Sequence, residues 1–301
     1  MSSSPSSCSS CPSAGGGSNG RDGAGKSLQD ELITSTLSRI RYKLFIMSGK
    51  GGVGKSSVAV NIAAGLSKLG LKVGIVDVDI HGPSVPRLLG LTGRHMEADR
   101  GRLIKPISYN ENLKAVSMDA LLKDPDQAVL WRGPMKTTAI RQFIADISWG
   151  DLDFLVIDSP PGTGDEHMTV LKTIPEALCV VVTTPQEISL ADVRKAINFL
   201  QYAKANVLGV VENMSGLICP HCSQEISLFK KGGGEQLAKK YGLAFLGAIP
   251  LDPATVVASD LGTPVVFLEE DSPAKRAMET LAATVREAAE KSLESVSTLH
   301  A

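Results

Sequence analysis

Gly49-Lys50-Gly51-Gly52-Val53-Gly54-Lys55-Ser56 directly follows the apolar run Leu44-Phe45-Ile46-Met47, and this junction constrains the fold more than any other segment. It fits the spacing G-x-x-x-x-G-K-[ST], with a second lysine, Lys50, after the first glycine. A strand that ends in glycines leaves backbone N–H groups bare, so they can curl around phosphate oxygens. The helix expected over Ser57–Lys68 turns its positive N-terminal end on the same anion. In such a loop Gly49, Gly51, Gly52, Val53, Gly54 and Ser57 surround the phosphates. Lys55 reaches the β- and γ-phosphates, and the Ser56 hydroxyl ligates Mg²⁺. The sequence therefore predicts a nucleoside triphosphate site between a strand and a helix.

Further apolar runs alternate with helical patterns. Strands are expected at Tyr42–Met47, Lys72–Asp77, Leu113–Met118, Phe154–Asp158, Leu178–Thr183, Val207–Asn213 and Ala244–Ile249. Helices are expected at Leu28–Tyr42, Met135–Ile147, Leu190–Ala203, Gly234–Tyr241 and Pro273–Leu293. This alternation predicts an α/β fold with a largely parallel sheet and helices on both faces. Residues 1–27, rich in Ser and Gly, are expected to form a flexible tail, and 28–301 a single domain. A net charge of −1 supplies no global field for nucleic acid or an anionic membrane, so neither is an expected partner. There is no run of 18 apolar residues and no signal-peptide pattern, so the expected location is the cytoplasm.

The strand ends carry acids, and in parallel sheets ligands gather there. Asp77 and Asp79 follow the second strand. Asp79 is the candidate for positioning the attacking water, and Asp77 is expected nearer the metal, although strand-end aspartates also cap helices. Phe154-Leu155-Val156-Ile157-Asp158 has the Walker B pattern, placing Asp158 on the Mg²⁺ hydration shell. The prolines and glycines of Ser159-Pro160-Pro161-Gly162-Thr163-Gly164-Asp165-Glu166 suit a switch that meets the γ-phosphate and lets go after hydrolysis. Asn213, at another strand end, offers an amide donor and acceptor to an adenine edge.

Of the five cysteines, four form two C-x-x-C pairs, Cys8/Cys11 and Cys219/Cys222. In a chain without an export signal these read as metal or redox ligands rather than structural disulfides. Cys219-Pro220-His221-Cys222 supplies half of the tetrahedral set that zinc or an iron–sulfur cluster wants. A two-fold dimer would bring the same pair from a second chain, or Cys8 and Cys11 would complete the set within one chain. A redox dithiol is a further option. Cys179, inside an apolar run, reads as an inert core residue.

The phosphate loop with Lys50, the Asp77-Val78-Asp79 segment and Asp158-Ser159-Pro160-Pro161-Gly162-Thr163-Gly164-Asp165 resemble the deviant Walker A ATPases, the class of the nitrogenase iron protein and the partition ATPases. Trp131-Arg132-Gly133-Pro134-Met135, Glu212-Asn213-Met214-Ser215-Gly216 and the Cys219/Cys222 pair are similar to the Mrp/ApbC family of iron–sulfur cluster carrier ATPases. The match runs from about residue 40 to 270. The resemblance implies a slow, ATP-hydrolysing homodimer that holds a [4Fe–4S] cluster between its subunits. Such a carrier receives the cluster from assembly machinery and passes it to apo iron–sulfur proteins. It further implies that Lys50 reaches the partner's nucleotide, acting with Lys55 and Asp79 in catalysis, and that Cys219 and Cys222 are the bridging ligands. A partition ATPase acting on DNA or membrane is the competing reading, but it leaves the cysteine pair without a purpose.

Overall fold

The apolar run ahead of the glycines forms β1 (Ile40–Ser48), in the middle of an eight-stranded sheet. The computed structural model describes residues 21–79, 82–97, 103–117, 133–219, 222, 224–226, 228 and 231–299. The strands are β1, β2 (Val73–Asp77), β3 (Ile107–Ser108), β4 (Leu113–Ser117), β5 (Leu152–Asp158), β6 (Leu178–Thr183), β7 (Asn206–Glu212), β8 (Leu217–Ile218), β9 (Glu225–Ile226) and β10 (Phe245–Ala248). Across the sheet the order is β10-β7-β6-β1-β5-β2-β4-β3, parallel throughout except for the β3–β4 pair. Strands β8 and β9 form a separate antiparallel hairpin. All seven expected strands are present within one or two residues at each end. The three unexpected ones are two residues long, too short for any apolar alternation to register.

The helices are α1 (Arg21–Ser38), α2 (Lys55–Lys68), α3 (Val85–Leu88), α4 (Gly133–Ala145), α5 (Asp165–Thr173), α6 (Glu187–Tyr202), α7 (Gly233–Tyr241), α8 (Pro253–Asp260) and α9 (Pro273–Leu299). Two expectations need correcting. The first helix was expected to run through Tyr42, but it ends at Ser38 because Ile40 and Tyr42 pair with Leu152 and Phe154 in the sheet. The Tyr42 ring stacks on Phe154 with centroids 4.7 Å apart, a contact that a helical Tyr42 would lose. Helix α1 also begins at Arg21, inside the stretch expected to be a tail. The rest of that stretch, with Cys8 and Cys11, lies outside the described residues.

Successive side chains of β1 point to opposite faces of the sheet, so its unbroken apolar run feeds two cores. Leu44 and Ile46 pack with Ile62, Leu66, Met278 and Val285 from α2 and α9. Phe45 and Met47 pack with Ile140, Val193 and Ile197 from α4 and α6. The sheet is thereby covered on both sides, and its carboxyl edge is left for the polar strand ends. Among the described residues no helix is long and apolar enough to cross a membrane.

Candidate functional site

Helix α2 starts immediately at Lys55, and its N-cap, Gly54, has φ +78°, a left-handed conformation that costs glycine little. Gly52 shares that φ, so the loop curls and presents its amides inward. A cleft of about 580 Å³ opens over it, walled by Lys50 through Ser57, Asp79, Arg87 and Pro161. A smaller cavity of about 390 Å³ adjoins it, between Asp79, Gly82, Pro160, Pro161, Gly164 and Glu166. Of the loop residues expected to touch phosphate, Gly51, Gly52, Val53, Gly54, Lys55, Ser56 and Ser57 line the cleft. Gly49 does not. A Cβ on Gly49 would lie 2.4 Å from the backbone carbon of Asp192, so this glycine lets α6 approach β1.

Lys55 is 6% exposed and its ammonium bonds Oδ1 of the fully buried Asp158; it also donates to Ser56 Oγ at 3.1 Å. The other carboxylate oxygen of Asp158, Oδ2, is buried with no hydrogen-bond partner. A hydrated Mg²⁺ held by Ser56 and Asp158 would satisfy that orphaned oxygen, so the residues present fit the ion. Burial pushes the Asp158 carboxyl upward, opposed by the Lys55 ammonium.

Asp77, at the end of β2, caps the turn that follows it. Its Oδ1 accepts from the Asp79 N–H at 2.9 Å, and its Oδ2 from the Ser84 and Val85 N–H groups at 2.8 and 3.0 Å. Both oxygens thus cap the turn into α3. Asp77 and Asp158 are register partners on neighbouring strands. Burial, and then the Asp158 charge, push Asp77 up to about 7. Asp79 lines both cavities.

The switch segment is shorter than its sequence implied: α5 begins at Asp165, so Asp165 and Glu166 form a first turn rather than a loop. The Gly162 N–H donates to Ser48 O at 3.1 Å, tying the segment to the end of β1. Two residues not anticipated as functional, Lys136 and His167, hold its far end. Lys136, in the first turn of α4, pairs with Glu166 at 2.8 Å, both side chains largely buried. The ring nitrogen Nδ1 of His167 accepts from the Gly164 N–H at 3.2 Å, and its ring packs edge-on against Phe45 and Phe199.

Burial pushes His167 down to about 4, against the opposing influence of the Pro160 carbonyl. The unfolded chain takes up this proton below about pH 6.5, the folded chain only below about 4. Stability from this group is therefore present above pH 6.5 and lost on acidification, by up to about 3 kcal/mol. Asp77 acts in the opposite sense, gaining its proton in the fold as pH falls through about 7. Thermal melting at pH 7 and pH 5 separates the two: His167→Gln is expected to show a smaller acid-induced loss than wild type, or even a gain. An identical loss in both proteins would mean that His167 does not govern acid stability.

Asn213 directly follows β7. It is 8% exposed, and its Nδ2 donates to Val53 O at 2.9 Å. The amide nitrogen thus ties the end of β7 to the phosphate loop. Beyond it, the β8–β9 hairpin carries Cys219, half-buried, and Cys222, exposed, both as thiols. The Cys219 N–H donates to Gln224 O at 2.9 Å within the hairpin turn. Among the described residues no three His, Cys, Asp or Glu side chains are grouped to hold a metal. Burial pushes the Cys179 thiol up to about 12, in keeping with an inert core residue. Pro220, His221, His81, Trp131 and Arg132 lie outside the described residues.

Residues 39–286 match the family of NUBPL iron-transfer P-loop NTPases, within the ParA group. The chain belongs to this family. An iron-sulfur cluster carrier protein of Methanocaldococcus jannaschii is 46% identical over 242 residues, 80% of this chain and 83% of that one. The human cytosolic Fe-S cluster assembly factor NUBP2 is 43% identical over 256 residues, 84% of this chain and 94% of that one. A nucleotide-binding protein from Archaeoglobus fulgidus, solved in complex with ADP, superposes with a TM-score of 0.69 at 39% identity, covering 77% and 91% of the two chains. The cell division ATPase MinD of Pyrococcus furiosus reaches 0.60 at 24% identity, covering 82% and 98%, a likeness of fold alone. The family thus shares the parallel sheet and the phosphate loop described above.

Proposed function

We propose that this chain is an ATP-operated carrier of iron–sulfur clusters, binding ATP in the cleft over the phosphate loop and a cluster on Cys219 and Cys222. One observation carries the reading: β7 leads into both sites. Its end supplies Asn213, bonded to the phosphate loop, and the hairpin bearing the two thiols follows directly. The names of the archaeal and human relatives support the same reading. Two thiols make half of a tetra-thiolate set, which supports a homodimer contributing two cysteines from each chain to a [4Fe–4S] cluster.

In the nucleotide half, Gly51, Gly52 and Gly54 turn their N–H groups on the phosphates, and Lys55 exchanges Asp158 for the γ-phosphate. Ser56 and Asp158 hold Mg²⁺, which when bound neutralises charge on the β- and γ-phosphates. Asp79 orients a water toward the γ-phosphorus. As the new P–O bond forms and the bond to the β-phosphate oxygen breaks, the water proton passes to Asp79 or to the departing phosphate. Lys50 lines the same cleft and extends across to the nucleotide of a second copy. Loss of the γ-phosphate releases the Gly162–Asp165 segment, which changes the dimer contact and the hold on the cluster. Recipients are apo iron–sulfur proteins, and the donor is cluster assembly machinery.

Anaerobic reconstitution with iron and sulfide tests the proposal. Wild type should take up about four irons and four sulfides per dimer, and Cys219→Ser/Cys222→Ser close to none. Iron uptake unchanged in the double variant, or zinc as the only metal retained, would defeat the carrier reading while leaving the nucleotide site standing.

A further inference from the structure

Glu212, the last residue of β7, is fully buried, yet its carboxylate belongs to neither the nucleotide cleft nor the cysteine pair. Oε1 accepts from Ser215 Oγ at 2.6 Å and from the Gly232 N–H at 3.0 Å; Oε2 accepts from the Gly234 N–H at 2.6 Å. Ser215 precedes the cysteine hairpin, and Gly232–Gly234 follow it at the start of α7. One carboxylate thus closes both ends of the excursion that carries Cys219 and Cys222. Three hydrogen bonds to one fully buried carboxyl group, none of them open to competition from water, make this closure stiff. The base of the excursion is fastened again to the sheet: Ser215 N–H donates to Ile249 O at 2.8 Å, and Leu251 N–H to Gly216 O at 2.7 Å.

The next residue along the chain is Asn213, whose side chain holds Val53 O in the phosphate loop. The contact is tight. A Cβ on Gly54 would lie 2.2 Å from Asn213 Nδ2, and Met214 adopts φ +56°, an uncommon conformation for a non-glycine residue. The backbone between the two grips, Glu212 to Asn213, is itself anchored by Asn213 N–H to Thr183 O and Ile249 N–H to Glu212 O, each 2.8 Å. Few soft joints therefore separate Val53 from the hairpin.

We infer that the Asn213–Glu212 junction transmits the state of the phosphate loop to the cysteine hairpin within one subunit: Asn213 senses the Val53 peptide and Glu212 sets the closure of the loop holding Cys219 and Cys222. Phosphate drawn into the loop re-aims the peptides from Lys50 to Gly54. A Val53–Asn213 bond that follows the loop pulls on the base of the hairpin, and one that breaks frees that base from the loop, so the hairpin differs with the state of the loop. Asn213 and Glu212 are positioning residues in this scheme. The inference deepens the carrier reading by naming an intrasubunit route between its two halves.

The test reads thiol reactivity in the full apo chain, so it needs no cluster. N-ethylmaleimide labelling of the peptide containing Cys219 and Cys222 is followed by mass spectrometry without nucleotide, with saturating ADP and with saturating Mg-ATP. Wild type should show a labelling-rate ratio between nucleotide-free and ATP states of about fivefold or more. Asn213→Ala, at nucleotide concentrations shown by titration to saturate it, should bring the ratio to about one. Ser215→Ala loosens the Glu212 closure without touching the cleft, and it should also lower the ratio; it decides the matter if Asn213→Ala fails to fold. General loosening would raise both rates alike and leave the ratio intact, and that result overturns the inference. So does a wild-type ratio of one. Iron uptake that depends on Cys219 and Cys222 alongside an unchanged ratio would remove this route and spare the carrier reading. The reverse pair of results would do the opposite.

Discussion

Lys55→Ala is expected to lower ATP hydrolysis by about 100- to 1,000-fold, the scale of losing one positioned charge donor in a phosphoryl- or acyl-transfer site. The Lys55 ammonium is the group placed between Ser56 and Asp158 at the mouth of α2. The same substitution exposes a second property of the site. Asp158 and Asp77 are neighbours on adjacent buried strands, and Lys55 is the cation bonded to Asp158. Without it, Asp158 loses its counter-charge and its carboxyl rises further. A buried ion pair broken on one side costs about 3–5 kcal/mol unless the remaining charge is neutralised, and here protonation neutralises it. An acid whose folded pKa is raised holds its proton in the fold after the unfolded chain has released it. The variant should therefore lose stability as pH is raised from the ordinary carboxylate range toward and beyond neutrality, more steeply than wild type. Steady-state ATPase assays and melting curves at the two ends of that range check both parts. Hydrolysis within a few-fold of wild type would remove Lys55 from the mechanism.

Gly49→Ala should be far more damaging than Gly52→Ala in the same loop. Its Cβ would sit 2.4, 2.5 and 2.6 Å from backbone atoms of Asp192 and Val193, where no flexible side chain can yield. Helix α6 must then move off the sheet, and it carries Val193, Ala196, Ile197 and Leu200 into the core there. Overpacking of this kind costs about 3 kcal/mol, which for a domain of this size lowers the melting temperature by about 5 °C. Gly52→Ala is the control: it meets nothing within 4 Å and bears only the strain of φ +78°. That strain costs about 1–2 kcal/mol. Equal melting temperatures for the two variants would show that α6 gives way easily and that Gly49 is a matter of loop conformation only.

The strand-to-helix junction was legible because its information is contiguous. An apolar run, a glycine spacing and a helical pattern sit side by side, and all three forms appear where expected, from β1 through Lys55 to α2. The C-x-x-C pair was legible for the same reason. His167, Lys136 and Glu212 carried no such signal. A lone histidine after Gly164-Asp165-Glu166, a lysine in an amphipathic helix and a glutamate at a strand end look ordinary in sequence, and they acquire roles only from what packs against them.

By itself, then, the sequence determined the strand–loop–helix at the carboxyl edge of a parallel sheet, the acids at neighbouring strand ends and the paired thiols. These follow from local spacing and from apolar periodicity, which act within a few residues. The tertiary structure alone decided how the polar groups share partners. Asp77 became a cap, and Asp158 kept an oxygen in reserve. Asn213 closed on Val53, Gly49 made room for α6, and Glu212 fastened both ends of the cysteine loop. Each of those outcomes is a competition for hydrogen bonds and space in which partners distant in the chain, or a turn whose path the fold directs, take part. In a buried setting the nearest donor wins, and only the folded chain says which donor is near.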